Sequence, residues 1–168
     1  MSLIITNIII ILIILFIIAT TIISIYHLKT TIKKVKTQIS FRESMDLVEL
    51  PIITFYNEKT KLNFLLDTGC NASCINSSVL PYLIHTPYDG NGSLTDFAGN
   101  KYEKTYCEIV ITRKEQSFTG IFGIVDLDAA FKDVKDQSGV QLHGILGNDF
   151  FTKYKYVLDF VELIAYNK

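Results

Sequence analysis

The first apolar segment of the chain runs from Leu3 to Tyr26 and is almost unbroken Ile and Leu, with no charged residue. As a helix, its 24 residues would extend about 36 Å, enough to cross a bilayer core of about 30 Å with some tilt. A buried core helix and a cleaved signal peptide are the alternatives. A core helix of this length usually has a polar face, and a signal peptide has a basic start and small residues at its cleavage site. This segment has no polar face, no basic start and no cleavage site of small residues. The pattern therefore predicts a transmembrane anchor over residues 1–26.

A polar segment over residues 27–46 follows and is predicted to be a connector. Its apolar residues Ile32, Val35 and Ile39 recur at helical spacing. The connector therefore either continues as a helix along the membrane surface or is a flexible spacer.

Basic residues are confined to the C-terminal side of the apolar run in this part of the chain. They are His27, Lys29, Lys33, Lys34, Lys36 and Arg42, and no charged side chain precedes the run. By the positive-inside rule, this asymmetry predicts a single-pass membrane protein whose C-terminal domain faces the cytoplasm.

From Leu47 onward the pattern changes to short apolar or alternating runs separated by turn residues. Strands are predicted at 47–56, 61–66, 93–97, 101–111, 118–125, 140–146, 156–160 and 161–166, with short helical stretches at 77–80, 128–134 and 148–154. Many short strands with little helix indicate a barrel-like architecture. The expected fold is therefore an all-β domain with one or two short helices over residues 47–168, preceded by the transmembrane helix.

The charge and the cysteines of this domain exclude several classes of partner and site. From Leu47 onward the chain has 11 Lys and Arg against 15 Asp and Glu, a net charge of −4. Because a nucleic-acid partner requires a basic face, we expect no nucleic acid. The three cysteines are an odd number without C-x-x-C spacing, so neither a metal site nor a disulfide framework is predicted. Reduced thiols in a cytosolic domain fit best.

The most informative polar residues are Asp67, Thr68 and Gly69, which follow directly on the apolar run 62–66. A strand that delivers a carboxylate from a hydrophobic run into a tight turn creates a local conflict, because a carboxylate at the edge of a core costs free energy unless it is paired or hydrogen-bonded. Such conflicts are usually kept at functional sites.

The surrounding motifs strengthen this interpretation. The turn continues as D-T-G-C-N-A-S-C-I from Asp67, and G-I-L-G-N-D-F-F follows from Gly144. Together, and in this order, the two motifs resemble those of the retropepsin-like aspartic proteases over about residues 47–168. In that family an apolar strand ends in D-T/S-G-A, and a later apolar pair plus Gly leads into a short helix. Cys70 stands where the family usually has Ala. The resemblance implies a single-lobe acid-protease barrel.

The resemblance also implies roles for the site residues. Asp67 is expected to be the catalytic carboxylate, with Thr68 and Gly69 in the active-site loop, and the segment from Ile145 through Leu146 to Gly147 is expected to be the structural buttress below that loop. Asp149 matches the Asp of the family's G-x-D pattern, and we interpret it as a cap near the start of the following helix. An aspartic protease needs two carboxylates, and the chain contains one D-T-G, so the second is expected from another copy in a C2 homodimer.

A hairpin around Phe97, Ala98, Gly99 and Asn100 is the candidate flap. A hairpin tip with Gly can close over an extended peptide, exclude water and donate backbone hydrogen bonds. An ordinary surface hairpin is the alternative interpretation.

The predicted function is a membrane-anchored homodimeric aspartic endopeptidase that acts on peptide or protein substrates without metal or cofactor. The alternatives are a non-catalytic peptide-binding or dimerisation module of the same fold, an enzyme that cleaves only its own connector, and a thiol enzyme that uses Cys70 or Cys74 with a histidine. The carboxylate of the D-T-G motif favours the protease, because peptide binding alone does not require it.

Overall fold

One long helix precedes a β domain that has its own hydrophobic core. The computed structural model describes residues 2–95 and 101–167. The chain divides into one unit that extends through Thr37 and a second unit that begins at Gln38.

The first unit is helix α1, which comprises Ser2–Thr37. Within it, the 22 residues Ile9–Thr30 are long and apolar enough to cross a membrane, and none of the side chains in that window is buried. The hydroxyls of Thr20, Thr21 and Thr30 donate to carbonyls one turn earlier, at 2.8–2.9 Å. These threonines are therefore compatible with an apolar helix, because their polar groups are satisfied within it.

The second unit contains ten strands and four short helices among its described residues. The strands are β1 (Ile39–Ser40), β2 (Ile52–Asn57), β3 (Thr60–Leu66), β4 (Cys74–Asn76), β5 (His85–Thr95), β6 (Lys101–Arg113), β7 (Gln116–Val125), β8 (Gly144–Leu146), β9 (Tyr156–Asp159) and β10 (Ile164–Asn167). The helices are α2 (Arg42–Val48), the 3-10 helix Ser77–Tyr82, α3 (Asp128–Ser138) and α4 (Asn148–Tyr154).

Seven strands form one sheet in the order β2-β3-β8-β4-β7-β6-β5. Strand β2 also pairs with β6, where Tyr56 lies opposite Thr112, so the sheet closes on itself. A closed sheet leaves few free edges and encloses its core, as in a barrel. The predicted all-β barrel with a preceding apolar helix is confirmed, and the described residues of the domain contain four short helices where one or two were expected.

The core of the barrel is largely aromatic. Phe55 is fully buried, and its ring makes edge-to-face contacts with Phe64, Phe118 and Phe150, with centroids 5.8–6.2 Å apart. Phe150 is on α4, so this cluster fixes the helix against the strands. Such aromatic pairs contribute beyond the area they bury.

A second, three-stranded sheet joins the two ends of the domain in the order β1-β10-β9. Ile39 pairs with Ala165 across β1 and β10, and both side chains are buried. The predicted connector at 27–46 is therefore divided among three elements. Its first part is the end of α1, which continues to Thr37, and the residues after it form β1 and the beginning of α2.

The predicted strand at 47–56 is wrong in its first half. Residues up to Val48 belong to α2, Glu49 takes a left-handed conformation that ends this helix, and β2 begins only at Ile52. Ser44 of α2 explains the arrangement, because its hydroxyl donates to the Phe41 carbonyl and accepts the amide of Ile52 at 3.0 Å. The predicted strand at 140–146 is also shorter and comprises Gly144–Leu146.

One pH-dependent contact lies at the entry to β8. Nδ1 of His143 accepts the backbone amide of Asn63 at 2.9 Å, which requires this nitrogen to be unprotonated. Burial lowers the pKa of His143, and the nearby charge of Lys61 lowers it further. In the unfolded chain the imidazole binds a proton near its usual pKa of 6.5. Folding stability is therefore expected to fall as the pH drops below that value.

We predict that His143→Gln reduces this pH dependence, because a Gln side chain accepts the Asn63 amide but does not titrate. Urea unfolding of residues 38–168 at pH 7.5 and pH 5.5 checks it. The wild type should lose more stability than the variant on acidification, while at pH 7.5 the two should be similar. An equal loss in both proteins would contradict the role given to His143.

Candidate active site

The candidate site is built where three strands meet. Strand β8 lies between β3 and β4, parallel to β3 and antiparallel to β4. Leu66, the last residue of β3, pairs with Leu146, the last residue of β8. The loop 67–73, which connects β3 to β4, must therefore cross over the end of β8. The Asp67 loop, as we call residues 67–73, is thus held by the sheet at both of its ends.

Asp67 is the first residue of this loop and is half-buried. Its backbone amide donates to the Leu146 carbonyl at 3.0 Å, which continues the β3–β8 ladder by one residue. Its side-chain Oδ1 accepts the Gly69 amide at 2.8 Å. Within the described residues the other carboxylate oxygen, Oδ2, accepts no hydrogen bond. One oxygen is therefore fixed by the turn and the other is available to a further ligand.

Thr68 and Gly69 form the tip of the turn, and both are exposed. The turn is closed by the Cys70 amide, which donates to the Asp67 carbonyl at 3.2 Å. A Cβ atom at Gly69 would lie 3.1 Å from Oδ1 of Asp67, so a larger residue would crowd the carboxylate. The sequence-predicted loop residues are therefore together in the structure.

The segment predicted as the buttress lies directly beside this loop. Ile145 and Leu146 pair with Leu65 and Leu66 of β3. Gly147 packs so closely on the loop that an added Cβ would lie 2.7 Å from the Cys70 carbonyl oxygen. Only glycine permits this approach, because real Cβ atoms do not make such contacts.

Asn148 makes two hydrogen bonds to the same loop that the sequence did not predict. Its backbone amide donates to the Cys70 carbonyl, and its side-chain Nδ2 donates to the Thr68 carbonyl, both at 2.8 Å. The first turn of α4 thus holds the carbonyl groups of the two residues that flank Gly69. The sequence signal that could have identified Asn148 is its position directly after Gly147. An exposed polar side chain at that position does not contribute to the barrel core.

Asp149 has a larger role than the helix cap that the sequence suggested. Its Oδ1 accepts the Phe150 amide at 2.8 Å, as a residue in the first turn can. It also accepts the Ser73 amide at 2.9 Å and the Ser73 hydroxyl at 2.7 Å. The Ser73 hydroxyl in turn accepts the Gly147 amide at 3.1 Å. Asp149 therefore joins α4 to the far end of the Asp67 loop. The sequence analysis also gave no role to Ser73. Its polar side chain lies in a stretch that is buried in the structure, which points to a hydrogen-bonded role.

The thiols and His143 are engaged elsewhere. The Cys70 thiol donates to the Ala72 carbonyl at 3.0 Å, and His143 accepts the Asn63 amide. Cys107 is fully buried, and burial raises the pKa of its thiol to about 11, which disfavours the nucleophilic thiolate. These contacts give no support to a catalytic pair of Cys70 and His143.

Two further predictions from the sequence concern a metal site and the flap. Among the residues described, no three His, Cys, Asp or Glu side chains are grouped so as to hold a metal ion. The candidate flap residues Phe97, Ala98, Gly99 and Asn100 lie outside the described residues. The flanking strands β5 and β6 do pair, up to Thr95 opposite Lys101.

We predict that the Asp149–Ser73 bridge stabilises the domain. Asp149→Ala leaves both Ser73 donors without an acceptor, and Ser73 is buried, so the expected loss is about 1–3 kcal/mol. Asp149→Asn keeps an acceptor oxygen and should lose less. Urea unfolding of residues 38–168 measures both, with Asp133→Ala on the exposed side of α3 as the control. Equal stability of Asp149→Ala and the control would contradict the bridge.

Comparisons with known proteins give a limited result. No family model matches the chain. No curated protein matches it either. Among solved structures, it is similar to the EIAV protease complexed with the inhibitor HBY-793, at 21% sequence identity and a TM-score of 0.47. The match covers 64% of this chain and 90% of that chain. A similarity of this extent does not assign the chain to a family.

Proposed function

We propose that this protein is a membrane-anchored aspartic endopeptidase whose active site is formed by two copies of the chain, with one Asp67 from each. The observation that carries the proposal is the Asp67 carboxylate itself. It stands at the end of a core strand, with Oδ1 held by the Gly69 amide and Oδ2 without a partner among the described residues. A rigid loop that presents one available carboxylate oxygen suits general acid–base chemistry better than it suits a structural role.

The proposed mechanism needs two carboxylates in contact. Like charges about 3 Å apart cannot both ionise, so the two Asp67 side chains would share one proton. The ionised member takes a proton from a bound water, and this water attacks the scissile carbonyl. The protonated member polarises the carbonyl oxygen. The pair titrates as a unit, and no covalent intermediate is required.

The second carboxylate is assigned to another copy because the chain offers no equivalent of its own. D-T-G occurs once in the sequence. Asp149, which is joined to the same loop, already accepts three hydrogen bonds through Oδ1. A C2 pair would place the exposed tips at Thr68 and Gly69 of the two protomers near the axis, since a C2 interface brings the same patch together from both chains.

The substrate is proposed to be an extended peptide. A peptide bound as a strand is recognised by main-chain hydrogen bonds, for which a β domain provides partners. The β5–β6 hairpin is the element from which the flap is proposed to come, with Phe97–Asn100 at its tip.

Membrane attachment is proposed to act through Ile9–Thr30 of α1, on the basis of length and composition. The basic residues at and beyond the C-terminal end of this segment, among them Lys29, Lys33 and Lys34, favour an orientation in which the β domain faces the cytoplasm. Confinement to a surface would also favour pairing, because it raises the effective concentration of the protomers.

The decisive prediction concerns Asp67→Asn, which keeps size and hydrogen bonding but removes the ionisable group. Fold and pairing should survive, and catalysis should fail. When wild type and variant are mixed equally and exchange freely, about a quarter of the dimers are wild-type pairs. Cleavage of labelled casein should therefore fall to about a quarter of that of the same total amount of wild type, whereas independent sites would retain about half.

Asp133→Asn serves as the matched control, because it makes the same chemical change on an exposed face of α3. Mixing with this variant should leave activity unchanged. Exchange is verified with differently tagged chains. A retained half would contradict the shared site even if Asp67 is essential. Full activity of Asp67→Asn would contradict the catalytic role proposed for Asp67. Peptide binding without any cleavage by wild type would instead favour a non-catalytic module.

The class of mechanism is tested by inhibitors and pH. A shared-proton pair should give a bell-shaped pH profile that declines on the alkaline side, once both carboxylates are ionised. A statine-containing peptide should inhibit, and EDTA and thiol alkylation should not. Loss of activity with EDTA would contradict the aspartic mechanism.

A further inference from the structure

The turn between β9 and β10 presents two adjacent apolar side chains to solvent. Val161 is 88% exposed and Phe160 is 55% exposed. We call residues 159–163 the Phe160 turn. Single exposed apolar residues are common, but two neighbours at the tip of a hairpin form a small protruding apolar surface.

The backbone of the Phe160 turn is held in place. Oδ1 of Asp159 accepts the amides of Val161 and Glu162, both at 3.0 Å. The Phe160 ring packs edge-on against buried Phe41, with centroids 5.6 Å apart. The exposed apolar residues are therefore presented by a fixed turn, so their exposure is built into the fold.

The turn lies against the first residues of the β domain. The Phe41 amide donates to the Leu163 carbonyl at 2.9 Å, and the Arg42 guanidinium reaches the Glu162 carbonyl at 3.4 Å. Phe41 follows Thr37, the last residue of α1, by four residues. Four residues of chain span at most about 14 Å. The candidate span ends seven residues before the end of α1, and those helical residues add about 10 Å. The chain between the end of the span and the residues that support this turn is therefore at most about 25 Å long.

We propose that the Phe160 turn inserts Phe160 and Val161 into the interfacial layer of the bilayer and so gives the β domain a second membrane contact. This inference rests on the membrane anchor of the proposed function. Apolar side chains rimmed by charged groups suit shallow insertion at the headgroup boundary. Here the charged groups beside the tip are Arg42, Glu162 and Asp159, whose Oδ1 is bonded to the turn amides. The lysines of the preceding segment add attraction to anionic lipids.

A lipid surface fits the turn better than a second copy does. Strand addition needs free backbone amides, and the amides of Val161 and Glu162 are already bonded to Asp159. A stable protein interface also buries about 800 Å² on each partner, far more than two side chains provide. Insertion into lipid requires only the apolar tip itself.

The experiment uses the absence of tryptophan from the chain. Full-length Phe160→Trp is reconstituted into phosphatidylcholine–phosphatidylserine vesicles, with and without brominated acyl chains. Tyr82→Trp is the matched control, because Tyr82 is an aromatic residue 75% exposed in the 3-10 helix. We expect a blue-shifted emission for Phe160→Trp and a bromine-dependent loss of intensity several-fold larger than that of the control.

A third reporter, Phe16→Trp within the candidate span, tests the membrane anchor separately from the insertion of the Phe160 turn. If it is quenched and Phe160→Trp is not, the insertion is wrong and the anchor stands. If neither is quenched, the anchor and the insertion both fail. Protection of Phe160→Trp from aqueous iodide without bromine quenching would indicate a protein partner and would also overturn the proposal. Val161→Trp repeats the test at a side chain that the fold leaves exposed, should Phe160→Trp not fold.

Discussion

The hydrogen bonds between Asp149 and Ser73 are the interaction on which the site depends. They connect the first turn of α4 to the end of the loop that begins at Asp67, across 76 residues of sequence. The Ser73 hydroxyl also receives the Gly147 amide, so a single carboxylate organises both segments. A charged acceptor forms stronger hydrogen bonds than a neutral one, which suits a junction made by so few groups.

This junction leaves Asp67 in a different chemical situation from Asp149. Oδ1 of Asp149 accepts three donors from the Asp67 loop and from α4, whereas Oδ1 of Asp67 accepts only the Gly69 amide within its own turn. Asn148 completes the arrangement by holding the Thr68 carbonyl. Preorganisation of this kind would serve the proposed catalysis, because a group that is already oriented does not have to be ordered at the moment of reaction.

The barrel supplies the rigidity that the loop requires. Closure through β2 and β6 encloses an aromatic core, and Phe150 carries that packing into α4, the helix that bears Asn148 and Asp149. The small sheet of β1, β10 and β9 then ties the entry of the domain to its C-terminal end. The same sheet sets the position of the Phe160 turn. Packing, site and the proposed membrane contact are therefore parts of one connected structure.

Local pattern was sufficient for much of this protein. An unbroken apolar run specified α1, alternation and turn residues specified most strands, and a carboxylate at the end of an apolar strand singled out Asp67. The helix α2 was not predicted, because its formation depends on Ser44 bonding to Ile52, a contact outside any local period. The roles of Ser73, Asn148 and Asp149 also required the fold. Each acts on a partner more than 70 residues away, and only the placement of β8 between β3 and β4 brings those partners within hydrogen-bonding distance.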